Sequence, residues 1–235
     1  MFFPIGDDQV KGGYFPTFSY AFILINVAIF IFQIQMPSGQ LQSFVLEYGS
    51  IPDEITRGED WFTLFSSMFL HGGWMHLIGN MLFLWVFADN IEATVGNLSF
   101  LIFYILGGLA AHAAHIYFNW NSGIPTIGAS GAISAVMGAY LVMFPTSRVK
   151  VLILIFPVRI YAIIFLGLWI FQQWNSGIAS LEIETAETAG VAWWAHIGGF
   201  VFGVVAGFYY RLTGRRASVR LENETDRRYT DNQYQ

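Results

Sequence analysis

Cysteine is absent from all 235 residues. Its absence removes disulfides, thiolate metal sites, cysteine nucleophiles and palmitoylation from consideration. Charge is scarce as well, since Asp, Glu, Lys and Arg make up 11% of the chain, against roughly a quarter in an ordinary soluble domain. Neither the aromatic-poor composition of a disordered chain nor the basic surface of a nucleic-acid binder is present, so no nucleic acid is expected as a partner. The chain is instead 55% hydrophobic and 18% aromatic, with 23 Phe, 8 Trp and 11 Tyr, and its mean hydropathy is +0.51. This composition predicts an all-α polytopic membrane protein, a single compact domain with membrane lipids around it.

The apolar runs divide the chain. Residues 17–36 form the first span, long enough for the roughly 20 residues that a hydrocarbon core demands. A cleaved signal would carry a basic leader and a shorter apolar run, whereas Asp7, Asp8 and a lone Lys11 precede this one. Residues 37–73 are mixed and contain an apolar stretch, residues 61–70, too short to cross and expected to lie at the interface. A second span is expected over residues 74–88, ended by Asp89, Asn90 and Glu92, and a third over residues 98–118. The fourth runs from near Ile127 to Phe144 and Pro145. The fifth falls within residues 151–174 and starts at Pro157, with residues 151–156 as an interfacial approach. The sixth covers residues 190–212, after an acidic loop carrying Glu182, Glu184 and Glu187.

Six spans put both ends of the chain on one side. On that side lie Lys11, Arg148, Lys150, Arg159, Arg211, Arg215, Arg216, Arg220, Arg227 and Arg228, ten of the eleven cations, with Arg57 alone opposite. The positive-inside rule then makes both termini cytoplasmic. Residues 1–16 are expected as a cytoplasmic tail, 17–212 as the six-helix domain and 213–235 as a polar cytoplasmic tail whose arginines favour anionic lipid. Without a further targeting signal, the expected location is a bacterial plasma membrane.

Polar side chains inside spans are functional candidates because they are costly there. His76 and Asn80 sit one turn apart on the second span, Ser130 near the start of the fourth and His196 near the start of the sixth. At 1.5 Å per residue, all four lie roughly 5 to 12 Å below the outer surface. One serine and two histidines in a shared layer suit a nucleophile, with a neutral imidazole taking the hydroxyl proton and nearby donors stabilising an oxyanion. Spacing leaves open which histidine is the base. Ser130 stands between Gly128 and Gly131, and Gly199, Gly203 and Gly207 follow His196 at four-residue intervals, a stripe of small residues that lets two helix backbones approach. No acidic residue occupies the layer, so the arrangement would be a dyad.

These residues resemble the rhomboid family of intramembrane serine proteases. The resemblance rests on His71, His76 and Asn80, on the Gly-x-Ser-Gly at residues 128–131, on the Ala-His-x-x-Gly at residues 195–199, on the long segment after the first span and on the order of the six helices. It implies that Ser130 is the nucleophile and His196 its base. It also implies an oxyanion hole of His76, Asn80 and the Ser130 backbone N–H, and transmembrane segments of single-pass proteins as substrates, cut near the outer surface without cofactor or metal. Two positions depart from the family pattern. Trp61 is followed by Phe62 rather than Arg, and Ser134 stands where some members carry a Tyr that stacks on the catalytic His. An aromatic from the fifth span is expected to orient His196 instead.

Plainer readings apply to the rest. His112 and His115 read as structural or water-facing, His71 as a loop hydrogen-bonder, and Glu92 as a side chain tying a turn together. A metal site lacks any membrane-embedded carboxylate or thiolate. The competing function is a non-catalytic, rhomboid-like chaperone or adaptor that binds transmembrane helices, whose mark would be a missing dyad. A small transporter would show paired membrane charges or matched broken helices, and neither is evident.

Overall fold

A computed structural model describes residues 2–182, 191–213 and 220–222. The chain is predominantly helical. Helix α1 (Thr17–Gln33) is followed by three short helices, α2 (Ser38–Tyr48), α3 (Pro52–Thr56) and α4 (Thr63–Ser66), and by a 3-10 turn, Ser67–Phe69. Long helices α5 (Trp74–Val95) and α6 (Asn97–Phe118) meet at a corner where Gly96 has φ +87°. Then come α7 (Ser130–Met143), α8 (Ala162–Glu182) and α9 (Trp193–Leu212). Among the described residues α6 is the one helix long and apolar enough to cross a membrane by length and composition, and α1 and α7 are shorter apolar helices.

Helix α7 is the centre of the bundle. It is buried almost all round by α5, α6 and α9, which is the fate of a helix with no polar face. Small residues set its approach to α9: a Cβ added to Gly199 would overlap the Gly131 carbonyl, and one added to Gly203 would overlap that of Ala135. Around this seam pack Leu84, Phe87, Phe100, Tyr104, Ile133 and Tyr140, all fully buried.

Several sequence expectations are corrected here. The chain is not purely helical, because residues 148–161 form a hairpin, β3 (Arg148–Ile153) and β4 (Phe156–Tyr161), in place of the interfacial approach and the start of the fifth span. Alternation decides this: Val149 and Val151 are buried on one face, and β1 (Phe2–Gly6) pairs antiparallel with the outer edge of β3. Residues 2–11 are thus docked strands rather than a tail, the second being β2 (Gln9–Lys11), which pairs with β5 (Arg220–Glu222). Of the expected tail at 213–235, residues 214–219 and 223–235 lie outside the described residues, as do residues 183–190, which include Glu184 and Glu187.

Helix α5 does not stop at Asp89. Its polar last turns continue as helix because their side chains find partners across the chain instead of competing for their own backbone. Asn90 accepts a hydrogen bond from Val10 N at 2.8 Å and donates to Asp7 and to the Asp8 carbonyl. Glu92 accepts from the Phe18 and Ser19 backbone N–H groups and from the Ser19 hydroxyl, at 2.7 to 2.8 Å, so a side chain of α5 caps the first turn of α1. Tyr140 also donates to Asp7. Burial, with the nearby Asp89 adding to it, pushes the Asp7 carboxyl well above its ordinary range. At the other end of α5, residues 67–70 are buried within the bundle, not laid along its surface, although Trp61 and Phe62 remain exposed.

Candidate functional site

The site begins with a glycine. Gly128 holds φ +125°, a conformation that keeps residues 127–129 out of the helix and makes Ser130 the first residue of α7, not its second turn. Its N–H donates to the Ser67 carbonyl at 2.9 Å, and Ser50 and Thr126 exchange backbone hydrogen bonds beside it, so the loop before Ser130 is pinned. A side chain at 128 would also fail on space, because an added Cβ would come within 2.7 Å of His76 Nε2.

Above this loop lies a cavity of about 670 Å³, and Ser130, His196, His76 and Asn80 all line it. Ser130 Oγ stands 2.8 Å from His196 Nε2. The four residues that the sequence placed at one depth are therefore brought to one cavity by three helices. Gly131, Gly199 and Gly203 make this possible, since their missing side chains let α7 and α9 lie backbone to backbone.

His76 and Asn80 face the same space in complementary ways. His76 Nδ1 accepts the Gly72 N–H at 3.3 Å. In a neutral ring this leaves the proton on Nε2, the atom turned toward Gly128. Asn80 is buried and its Nδ2 has no hydrogen-bond partner. An orphaned amide donor is costly in such a place. It would be satisfied by an oxygen entering the cavity.

The other histidines lie close by. His112 Nε2 is 3.1 Å from Ser67 Oγ, and His115 Nε2 is 2.9 Å from Thr126 Oγ1, so each holds a segment that supports the Gly128 loop. His71, outside the helices, is anchored through its backbone N–H and carbonyl by the Gln33 amide, and its ring lies edge-on to His76 with centroids 5.1 Å apart. Burial, with the neighbouring His76 second, lowers the His71 pKa to about 4. Among the described residues no group of three His, Cys, Asp or Glu side chains is placed to share a metal ion.

One neighbour of His196 was missed from the sequence. Gln173 of α8 is buried, and its Oε1 lies 2.8 Å from His196 Nδ1. The signal was partial, because Gln172 and Gln173 together close the apolar run of the fifth span and spacing does not tell which of the two turns inward. The expected aromatic is one turn away: Trp169, also on α8, has its ring centroid 5.9 Å from that of His196, tilted by 39°. Ser134, at the departing position, donates to the Ser130 carbonyl at 2.6 Å and does not reach the ring.

Residues 58–213 match the family model of the Rhomboid domain. The chain belongs to the rhomboid family. It is 29% identical over 192 residues to the Rhomboid protease GluP of Bacillus subtilis, covering 81% of this chain and 34% of that protein. It is 30% identical over 199 residues to the mitochondrial Rhomboid protein 1 of Saccharomyces cerevisiae, covering 81% and 52%. The human mitochondrial Presenilin-associated rhomboid-like protein is 30% identical over 146 residues, 59% of this chain and 35% of the human one. This rhomboid chain thus spans between about a third and a half of the curated relatives it matches. The matched domain takes in all four residues around the cavity, and Gln173 with them.

Proposed function

We propose that this rhomboid is an intramembrane serine endopeptidase that cleaves transmembrane segments of single-pass proteins near the outer membrane surface. The observation that carries the reading is the 2.8 Å approach of Ser130 Oγ to His196 Nε2 at the wall of a cavity that also holds an unpartnered amide donor, Asn80 Nδ2. A serine hydroxyl is inert unless a base takes its proton. An imidazole within hydrogen-bond reach is that base, and donors preplaced for an oxyanion supply the largest part of most acyl-transfer catalysis.

In this reading Ser130 Oγ attacks the scissile carbonyl carbon while its proton passes to His196 Nε2. The carbonyl oxygen becomes an oxyanion held by Asn80 Nδ2, His76 Nε2–H and the Ser130 N–H. Collapse breaks the C–N bond, and the leaving amine takes the proton back from His196. Water then attacks the acyl-enzyme with His196 again as base, which releases the carboxyl product and restores Ser130. The steps are complete with protein groups and water. Gly128 contributes by leaving the space beside His76 empty.

The membrane arrangement belongs to the same proposal. Helices α1, α5, α6, α7, α8 and α9 are taken as six spans, with the Asp89 end of α5 and the strand-rich ends of the chain cytoplasmic, in a bacterial plasma membrane. Support comes from the distribution of Lys and Arg and from a bacterial relative named a protease. The test compares the parent with Ser130→Ala and His196→Ala in liposomes carrying a model single-pass substrate. Loss of cleavage in both variants is expected, with Ser130 labelled by a fluorophosphonate probe in the parent alone. Continued cleavage by either variant overturns the assignment.

A further inference from the structure

Resting on that catalytic reading, we propose that Gln173 is the positioning residue of the site. Its amide oxygen holds the Nδ1 proton of His196, which leaves the Nε2 lone pair facing Ser130, and because Gln173 rides on α8 the base is set only while α8 is packed against α9.

The argument starts from proton counting. A neutral imidazole has one proton and two nitrogens, so Nε2 can receive the Ser130 proton only if Nδ1 carries the existing one. Something must accept that Nδ1–H. In hydrolases with a third member a carboxylate or, in some, an amide does so; among the described residues no carboxylate is bonded to His196. Gln173 Oε1, 2.8 Å away, is the acceptor. An amide could be turned either way, and the reversed amide would donate to Nδ1, put the proton on Nε2 and disable the base. Its own helix favours one sense. Gln173 Nε2 points back to the Trp169 carbonyl at 3.5 Å, and a carbonyl can only accept, so the oxygen is left for His196.

The setting of Gln173 on α8 adds the second part. On the half of α8 beyond Leu166, the side chains of Leu168, Phe171, Trp174 and Ile178 are exposed, whereas Gln173 is 5% exposed. A glutamine buried this deeply must be bonded to be tolerated, and its partner across the interface is the ring of His196. Trp169, four residues earlier on the same face, lies against that ring. Displacement of α8 from α9 would therefore withdraw the proton acceptor and the flanking indole together. Proton placement on His196 is coupled to helix position through one side chain.

The test uses the full chain in detergent micelles and in liposomes, with Gln173→Met, which keeps length and removes the acceptor, and Gln173→Glu, which keeps the oxygen. Ring 15N shifts of His196 separate the two tautomers, and this reading does not depend on activity. Expected in Gln173→Met are a loss of the Nδ1–H tautomer and a fall in kcat on the order of 10- to 100-fold, the range found when the hydrogen-bond partner of a metal-bound histidine is removed. KM is expected unchanged, and Gln173→Glu is expected to restore kcat to within a few-fold. The inference is overturned if Gln173→Met keeps the parent tautomer and kcat, or if both variants lose kcat alike, since packing alone would then explain the residue. Cleavage that survives Ser130→Ala would instead overturn the proteolytic reading, while the tautomer measurement would still decide whether Gln173 sets the ring.

Discussion

Gly128→Ala tests the site where backbone and chemistry meet. The perturbation adds one methyl group in a residue held at φ +125°, 2.7 Å from His76 Nε2 and 2.8 Å from His76 Cε1. Ordinary Cβ contacts begin at 3.4 Å and almost none are under 3.0 Å, so the His76 ring must retreat by 0.3 to 0.7 Å, the difference between those limits and 2.7 Å. The positive φ adds strain of about 1–3 kcal/mol for a non-glycine residue. Moving one oxyanion donor out of reach lowers kcat by roughly 10²- to 10³-fold. The assay is initial-rate cleavage of a model transmembrane substrate in liposomes, with thermal unfolding in micelles beside it. A melting loss matched to the strain and a kcat loss with little change in KM are expected. Gly39→Ala on α2, where a Cβ meets nothing within 4 Å, serves as the control and should retain parent activity. The reasoning is refuted if Gly128→Ala keeps kcat within about threefold of the parent while remaining folded.

Three further outcomes are expected. Gly199→Ala should push α9 away from the Gly131 carbonyl, lengthen the Ser130–His196 approach and lower kcat on the order of 10²-fold, the penalty of about a 1 Å misplacement; an unchanged fluorophosphonate labelling rate would count against it. Glu92→Gln should destabilise the fold by about 3 kcal/mol or more, because an amide can serve only part of the three donors that the carboxylate now accepts, each such bond to a charged group being worth about 1.5–3 kcal/mol; the unfolding free energy in mixed micelles reads it. The folded His71 stays neutral down to about pH 4 while the unfolded one protonates near its ordinary 6.5. Stability should therefore fall as pH drops from 6.5 to 4, by up to about 3 kcal/mol from this residue. The His71→Asn variant should show a correspondingly shallower acid limb, and an identical limb would refute the assignment.

The corrections have a common origin. Residues 148–161 carry apolar alternation that reads equally as the rim of a span, and the strand reading becomes compelling only once Phe2–Gly6 is known to pair with Arg148–Ile153. Asp89, Asn90 and Glu92 look like a helix stop because exposed carboxylates and amides favour helix ends. In the fold all three are buried, and Asn90 and Glu92 bond to Asp7, Val10, Phe18 and Ser19, partners more than seventy residues away in sequence. Residues 61–70 are too short to span, which points to a surface, but shortness does not prevent Met68 and Phe69 from entering the core. Local pattern is blind to each of these because the deciding partner is remote.

Composition and periodicity determined that this chain is a helical, apolar, cysteine-free protein, and the order of its small and polar residues pointed to Ser130, His196, His76 and Asn80 as one set. That much is legible because burying a polar group or omitting a side chain is costly, so each such position stands out wherever the helices come to lie. Tertiary structure alone decided which histidine nitrogen faces the serine, which donor was left without an acceptor, and that a glutamine from α8 stands behind the ring. Those are matters of angle and of a few tenths of an ångström. They exist only after separate helices have packed, and one-dimensional spacing holds no record of them.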